Sequence, residues 1–363
     1  MKLQVTQENL SKALGSVARV ANSRGTLPIL SNVLLKTVDG RLSIAATNLD
    51  IAITHYIGSK VSTEGAITVP ARLMQDFVGS LPSGVIELKL DEYKLHINAE
   101  KYNSVINGVS AEDYPVMPAI SDGISWSISS KLLKQSLQQV IVAASSDEAR
   151  PVLTGVYWHT FEDKLYMVAT DSYRLAEKSL ISMKQPVDLL IPASALQDLL
   201  RILGDHDEDV VVTHDDQQVL FKVGDVELVT RLIEGKYPDY RKLIPRSFAS
   251  DATLKKAELT NITKVSSLFA RESAGSVTIN LDGESQQVSI RSIASQIGEN
   301  NASASATISN EGSITLNSRY ILDALHALSG EDVRLAFNGK LEPCVLEDPK
   351  ARDYLHVIMP LKS

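Results

Sequence analysis

An internal repeat of about 120 residues constrains this chain more than any other feature of its sequence. The segment LPILSNVLL from Leu27 matches RPVLTGVYW from Arg150, and AATNLDIA matches VATDSYRLA, both at an offset of 123 positions. The tetrapeptides EDYP and GKYP, which end at Pro115 and Pro238, repeat the same offset. Several matches at one offset indicate duplication, and a period this long indicates copies of a whole domain rather than a solenoid.

A third copy is fainter and follows the first two. The segments VPARLMQDFVGSL, IPASALQDLLRIL and ITLNSRYILDALHAL resemble one another, and each copy closes on a similar dipeptide: Met117-Pro118, Ile244-Pro245 or Met359-Pro360. The sequence therefore predicts three tandem domains, at residues 1–120, 121–247 and 248–363.

Each copy predicts the same order of elements. In the first copy, Leu10, Leu14, Val17 and Ala21 recur at helical spacing, and alternating strands such as RLSIAAT follow. A second helix and further strands complete the copy. The six predicted helices cover residues 7–21, 71–81, 131–144, 193–203, 255–271 and 318–329. Two helices with many short antiparallel strands predict an α+β domain with its helices on one face of the sheet.

The net charge of −8 counts against nucleic acid as a partner when it is taken alone. However, the six predicted helices carry eleven basic and five acidic residues, whereas the rest of the chain carries 25 basic and 39 acidic residues. Two interpretations stay open here: ordinary charged helix faces, or one positive surface that meets a polyanion. The helices hold few aromatic residues, so a nucleic acid would be contacted at its phosphates rather than by base stacking.

Several classes of protein do not fit the sequence. The longest apolar runs are too short to span a membrane, and the N-terminus MKLQVTQENLSKAL lacks a signal core, so we expect a cytoplasmic protein. The single cysteine, Cys344, excludes an internal disulfide and a cysteine-built metal site. Phosphate-binding loops, zinc-protease motifs and serine-hydrolase motifs are absent, and the scattered histidines predict no metal site. We expect no cofactor and no catalytic residue.

The polar turn at Thr170–Arg174 allows three interpretations. It is a catalytic corner with Ser172 and His159, the rim of a docking site, or an ordinary strand end. Nothing in the sequence places a base on Ser172. The first-copy counterpart AATNLDIA shows that the strand-and-turn frame belongs to the repeat, whereas the polar content after Thr170 is particular to the second copy. This favours a docking rim, with Tyr173 and Arg174 as its aromatic and polar handles.

The order LPILSN, VPAR, VATDSYRLA, YPDYRKLIP and YLHVIMPLKS closely resembles the β sliding clamp family of bacterial DNA polymerase III, over essentially the whole chain. The resemblance implies a non-catalytic processivity factor of DNA replication with three domains of one fold. It implies a head-to-tail homodimer whose six domains close a ring, with the helices lining a hole for double-stranded DNA of any sequence. It also implies a pocket between the second and third domains for short linear peptides of the replicative polymerase, the clamp loader and repair proteins.

The resemblance can be carried to individual positions. The positions that match the peptide pocket are Leu153, Thr170, Ser172, Tyr173, Arg174, Leu175, Pro238, Lys242, Leu243, Val345, Val357, Met359, Pro360 and Leu361. The positions that match DNA contacts are Arg24, Arg72 and Arg150, and the helix residues expected to join them are Lys12, Arg19, Lys131, Lys134 and Arg201. The positions that match the dimer seam are Ile106, Leu268 and Phe269. For the apolar pocket residues, above all Val345 and Val357, core packing stays open as the alternative.

This chain also departs from the family pattern. Ala193-Ser194 stands where a basic pair is common, Tyr173 stands where some members have histidine, and the chain ends in Lys362-Ser363. We therefore expect weaker DNA contact by the second domain and a different peptide preference. Two alternative functions are a peptide-docking scaffold whose DNA contact is incidental, and an enzyme that uses the Thr170–Arg174 turn.

Overall fold

The computed structural model describes residues 1–21, 27–120, 122–204, 207–294 and 298–361. The six α-helices formed by these residues are α1 (Gln7–Ala21), α2 (Ala71–Ser80), α3 (Ser130–Val140), α4 (Ala193–Leu203), α5 (Lys256–Phe269) and α6 (Ser318–Ala327). All six predicted helices are confirmed, and most of their ends agree within two residues. The third is shorter than predicted, because a 3-10 turn at Ile141–Ala143 follows it.

The same residues form 25 β-strands. They are β1 (Lys2–Thr6), β2 (Asn32–Val38), β3 (Arg41–Thr47), β4 (Ile51–Ile57), β5 (Lys60–Thr63), β6 (Ala66–Pro70), β7 (Val85–Asp91), β8 (Lys94–Ala99), β9 (Tyr102–Asn107), β10 (Ile124–Ser129), β11 (Gly155–Phe161), β12 (Lys164–Thr170), β13 (Arg174–Ser182), β14 (Asp188–Pro192), β15 (Asp209–His214), β16 (Gln218–Val223), β17 (Val226–Arg231), β18 (Ser250–Lys255), β19 (Ser276–Asp282), β20 (Gln287–Ala294), β21 (Gly298–Asn310), β22 (Gly312–Asn317), β23 (Asp332–Phe337), β24 (Cys344–Glu347) and β25 (Tyr354–Ile358).

The chain divides into two compact units, and the first consists of Met1–Leu133 and Gln197–Leu232. It holds a five-stranded sheet of order β5-β1-β7-β8-β9 and an eight-stranded sheet of order β10-β15-β16-β17-β4-β3-β2-β6. Helix α1 packs on β3, β4 and α2. Its residues Leu10, Leu14 and Val17 are fully buried, so the apolar stripe read from the sequence is the buried face.

The second unit consists of Lys134–Leu196 and Ile233–Ser363. It holds a twelve-stranded sheet of order β14-β11-β12-β13-β25-β24-β23-β18-β21-β20-β19-β22. Helix α5 packs on β20 and β21 and contacts α6. Helix α6 begins with a side-chain cap, because Asn317 accepts the backbone N–H groups of Arg319 and Tyr320.

Consecutive repeats are joined by main-chain hydrogen bonds within these sheets. In the first unit β4 pairs with β17, which places Ala52 opposite Val229. In the second unit β13 pairs with β25, which places Leu175 opposite Val357. The border between the units therefore falls inside the second repeat, because β10 and β15–β17 join a sheet with strands of the first repeat, whereas β11–β14 join one with strands of the third.

Within the described part of the chain, none of the helices combines the length and the apolar character that a membrane crossing requires.

Candidate peptide pocket and nucleic-acid interface

The turn between β12 and β13 carries the polar residues that the sequence singled out. Thr170 Oγ1 donates a 2.6 Å hydrogen bond to the carbonyl oxygen of Arg174 and accepts one from the backbone N–H of Ser172 at 3.1 Å. Asp171 Oδ1 accepts the backbone N–H groups of Tyr173 and Arg174 at 2.9 and 3.0 Å. These side chains stabilise a turn in which Ser172 has a φ of 80°.

The contacts of this turn do not assemble a nucleophile with a base. Ser172 Oγ accepts a 2.9 Å hydrogen bond from Arg150 Nη1, whereas His159 Nε2 shares a 2.8 Å hydrogen bond with the hydroxyl of Tyr240. Nucleophilic catalysis would require the imidazole to lie within hydrogen-bond reach of the serine. The hydrogen bonds of these residues therefore give no support to the catalytic interpretation.

Arg174 is a buried link rather than an exposed handle. Only 10% of its side chain is exposed; Nε pairs with Asp171 Oδ2 at 3.0 Å, and Nη1 pairs with Asp323 Oδ2 at 2.5 Å. Its guanidinium carbon lies 4.5 Å from the ring centroid of Tyr320, within cation–π range. The structure thus differs from the expectation that Arg174 serves as the polar handle of the pocket, because its charge already holds β13 to α6.

The exposed part of the candidate pocket includes Tyr173, Pro238, Lys242 and Leu243. Tyr173 is 59% exposed and Leu243 is 50% exposed, values that are unusual for large apolar or aromatic side chains. Lys242 pairs with Asp239 at 2.6 Å. These residues form a surface with both apolar area and hydrogen-bonding groups, which suits recognition of a short peptide.

The C-terminal segment borders the same turn. The backbone N–H of Met359 donates a 2.8 Å hydrogen bond to the carbonyl oxygen of Tyr173, and that of Leu361 donates one to Thr315 at 2.9 Å. Met359, Pro360 and Leu361 are half-buried. They are therefore fixed in place while part of each side chain stays accessible, and a flexible methionine there adapts to ligands of varied shape.

An apolar core lies beneath this surface. Its buried members are Val168, Leu175, Leu190, Tyr237, Tyr240, Val345 and Val357. Val345 and Val357 are each 2% exposed, so core packing, left open for them, is what the structure shows. Leu175 and Leu153 are also buried, at 3% and 6% exposed. These four residues support the candidate pocket from below and do not form its contact surface.

A buried polar network that the sequence reasoning missed holds the 3-10 turn Tyr240–Leu243. The hydroxyl of Tyr240 donates a 2.5 Å hydrogen bond to Glu177 Oε2, and Arg241 Nη2 lies 3.6 Å from the same oxygen. The Arg241 guanidinium carbon lies 3.9 Å from the ring centroid of Phe161. Burial raises the pKa of Glu177, although Tyr240 and Arg241 oppose that shift. The members are distant in the chain, and the only available signal was the run of aromatic residues on β11 and β12.

Most of the basic residues predicted to contact DNA are exposed on their helices. The exposed ones are Lys12, Arg19, Arg72, Lys131 and Arg201. Two of them are partly neutralised on their own helices, because Arg72 lies 3.8 Å from Asp76 and Arg201 lies 2.5 Å from Asp198. Arg24 lies outside the described residues.

The two remaining residues predicted to contact DNA are less available to a phosphate, because one is half-buried and the other is ion-paired. Lys134 is half-buried, and Arg150, 45% exposed at its side chain, pairs with Asp147 at 3.4 Å in addition to its bond to Ser172. Helix α4 has no basic residue in its first turn, where Ala193-Ser194 stands, and its basic residue is Arg201 in the last turn. Weaker phosphate contact by the second repeat stays a prediction.

The residues predicted for a dimer seam have different exposures. Leu268 on α5 is 53% exposed and Phe269 is half-buried. Ile106 is only 6% exposed, so its side chain is part of the core under β9 rather than an open contact. The expectation for Ile106 is therefore corrected: its β9 neighbours Tyr102 and Val105, which the sequence reasoning missed, are exposed at 48% and 52%.

A metal centre has no support in the described residues. Across the five described ranges, no three histidine, cysteine, aspartate or glutamate side chains come close enough together to hold an ion. Cys344 is a buried free thiol whose pKa is raised by burial. It behaves as a small apolar core residue.

Comparison with known proteins agrees with this architecture. Three family models match in order: the N-terminal domain of the DNA polymerase III beta subunit at residues 1–118, its central domain at 127–239 and its C-terminal domain at 241–362. The beta sliding clamp of Bacillus subtilis is 30% identical over 379 residues, which cover all of both chains.

Solved structures agree as well. A DNA polymerase sliding clamp from Bacillus subtilis shares 29% identity and a TM-score of 0.95, covering 100% of this chain and 99% of that one. A sliding clamp from Bartonella birtlesii bound to griselimycin shares 29% identity and a TM-score of 0.94, with all of both chains covered.

Three tandem domains built of antiparallel sheets with six helices define the class of DNA sliding clamps. The chain belongs to the DNA polymerase III beta-subunit family, the beta sliding clamps. Its function is that of a DNA clamp in replication, and the role of this family is non-catalytic.

Proposed function

We propose that two copies of this chain close head to tail into a ring around double-stranded DNA and tether the replicative polymerase, the clamp loader and repair proteins through short linear peptides. The observation that carries this proposal is the segregation of charge. The predicted helices carry +6 and the remainder −14, and nine of the eleven helix bases are exposed. A duplex would then be attracted to the helices and repelled elsewhere.

Two free strand edges support the head-to-tail dimer. Strand β9 is the last strand of the five-stranded sheet. Residues 298–305 of β21 pair with β20 on one side, and the described residues show no strand on their other side. An unpaired strand edge offers free N–H and C=O groups that can pair with a strand of another chain. Because β9 and β21 are different surfaces, their pairing between two copies is heterologous, and a ring results when the rotation closes.

Exposed apolar side chains lie on the elements that carry these edges. Tyr102 and Val105 are on β9, whereas Val265 and Leu268 are on α5, which packs on β21. Leu268→Asp should convert the dimer into a monomer, because it would place a charge at a dry seam. Sedimentation equilibrium measures the oligomeric state of the variant. Leu341→Asp is the matched control, because Leu341 is 70% exposed. A Leu268→Asp protein that stays dimeric contradicts the seam.

Topological retention tests the ring itself. The protein should be retained on closed circular DNA and lost when the circle is linearised, because phosphate contacts without base contacts let it slide off an end. Lys12→Gln should shorten retention, whereas Lys94→Gln, at an exposed residue of strand β8, removes the same charge and should not. Equal retention on circular and linear DNA would instead favour the alternative of a scaffold with incidental DNA contact.

The peptide-docking part of the proposal uses the exposed surface formed by Tyr173, Leu243 and Met359. Deleting residues 359–363 should abolish binding of a polymerase-derived peptide while leaving the dimer intact. Tyr173→Ala should weaken that binding about tenfold or more, as expected of an exposed aromatic anchor. Tyr93→Ala is the matched control, because Tyr93 is 58% exposed. Fluorescence anisotropy measures both, and unchanged affinity after the deletion would refute the pocket.

We also propose that the three domains have borders near residues 120 and 248 and that the protein works in the cytoplasm. The duplicated segments support the borders, and the function as a DNA clamp in replication supports the compartment.

A further inference from the structure

The first repeat contains a second copy of the turn that frames the proposed peptide pocket. Thr47 Oγ1 donates a 2.9 Å hydrogen bond to the carbonyl oxygen of Ile51 and accepts the backbone N–H of Leu49 at 3.0 Å. Asn48 Oδ1 accepts the backbone N–H of Ile51 at 2.8 Å. Leu49 has a φ of 80°, the same value as its counterpart in the turn of residues 170–174. The two turns therefore share one hydrogen-bond pattern.

The strand beside each turn is also equivalent. The backbone N–H of Arg231, at the end of β17, donates a 3.0 Å hydrogen bond to the carbonyl oxygen of Asp50. In the second unit, Met359 makes the corresponding 2.8 Å bond to Tyr173. Since β4 pairs with β17 as β13 pairs with β25, the whole frame of the pocket recurs inside the first unit.

This second frame presents apolar side chains to solvent. Leu49 is 45% exposed, although leucine rarely adopts a positive φ. Leu27 is 47% exposed and Val116 is 94% exposed. Tyr114 joins the three chain segments that carry these residues, because its buried hydroxyl accepts the backbone N–H of Thr47 at 3.2 Å and donates to the carbonyl oxygen of Asn32 at 3.2 Å. We call the set Leu27, Leu49, Asp50 and Val116 the Leu49 surface.

The Leu49 surface differs from the proposed pocket in charge. Exposed acids stand at Asp50, Glu112 and Asp113, and in the described part of the chain they outnumber the one exposed base beside them, Arg231, which donates its backbone N–H to Asp50. The positions at the repeat offset hold Tyr173, Gly235 and Lys236 instead. Apolar area bordered by carboxylates favours a ligand whose apolar side chains are flanked by positive charges.

A second difference lies at the position of Arg174. Ile51 stands there and is 7% exposed. It carries no charge, so this turn lacks the ion pairs that Arg174 makes in the turn of residues 170–174.

We propose that the Leu49 surface is a second docking site, which takes a short extended peptide with apolar side chains between basic residues. The inference uses the frame of the pocket proposed above, but the occupant and the surface are different. A clamp with both sites engages two partners on one chain.

Fluorescein-labelled acetyl-KLKLFK-amide, measured by anisotropy on the full-length protein, tests the proposal. Leu49→Ser should weaken its binding about tenfold, and serine suits the turn because Ser172 occupies the equivalent position. Asp50→Lys should weaken binding further, and acetyl-ELELFE-amide should bind poorly. Val85→Ser, at a 60% exposed residue elsewhere in the first unit, is the matched control and should have no effect. Thermal unfolding checks that each variant is folded.

The outcomes separate this site from the proposed pocket. Tyr173→Ala and deletion of residues 359–363 should leave KLKLFK binding unchanged, even where they abolish binding of a polymerase-derived peptide. Loss of KLKLFK binding in those variants, or equal binding of the acidic peptide, overturns the proposal. A change of oligomeric state caused by Leu49→Ser also overturns it, because a second copy of the chain would then cover the surface.

Discussion

Replacing Arg174 by methionine should destabilise the second unit by about 3 kcal/mol. Removing one partner of a buried ion pair costs roughly 3–5 kcal/mol, because the other charge stays buried without compensation. Asp171 is 15% exposed but keeps two backbone N–H partners, so it is not stranded. Asp323 is 24% exposed and loses its 2.5 Å partner, and this partial exposure places the cost at the lower end of the range.

The measurement is urea unfolding at one fixed protein concentration, since dimerisation contributes to apparent stability. Trp158 is fully buried in β11, so its fluorescence in a Trp126→Phe background reports on the second unit. Arg150→Met is the matched control, and its loss should stay below about 1 kcal/mol because that arginine is 45% exposed.

A double substitution separates charge from packing. Arg174→Met with Asp323→Leu should recover much of the lost stability, because it removes the stranded carboxylate. If Arg174→Met costs no more than Arg150→Met, the reasoning that Arg174 is a buried link fails.

Further predictions concern three buried groups. Burial lowers the pKa of His356 to about 3, so the folded chain keeps it neutral while the unfolded chain, with a pKa near 6.5, binds a proton. Its contribution to stability should therefore fall by up to about 1.4 kcal/mol per pH unit as the pH drops from about 6.5 towards 3, and His356→Gln should flatten the pH dependence of the urea midpoint. Cys344 should react with a thiol reagent only after unfolding, because it is fully buried; rapid labelling of the folded protein would contradict its placement. Lys178→Met should lower the unfolding temperature, because the 3% exposed lysine pairs with Asp353 at 2.5 Å, and an unchanged value would show that the pair contributes nothing.

The elements of the fold followed from local periodicity. Leu10, Leu14 and Val17 recur every three or four residues, and they are fully buried in α1. The alternating segment RLSIAAT coincides with β3. Side-chain direction in a helix or strand is set by the backbone repeat, so one sequence is enough to find the buried face.

The sequence predicted the contacts of individual residues less well than it predicted the helices and strands. The sequence favours Arg174 as the polar handle of a docking rim, yet Asp171 and Asp323 enclose it. Ile106 was assigned to a seam and is buried. Both errors concern contacts between residues that are distant in the chain or on neighbouring strands, and such contacts leave no periodic signal.

The sequence by itself determined the triplicated architecture, the six helices, the separation of charge between helices and remainder, and the family. Duplication and amphipathic periodicity are patterns of residues at regular sequence spacing, so they can be recognised from the sequence alone. Only the tertiary structure decided which strands of consecutive repeats pair with each other. It also decided which polar side chains form ion pairs or hydrogen bonds with other residues of the chain. It also revealed that the two repeated turns share one hydrogen-bond pattern. Burial and partner choice depend on elements far apart in sequence, and packing alone brings Thr47, Tyr114 and Asn32, or Arg174 and Asp323, into contact.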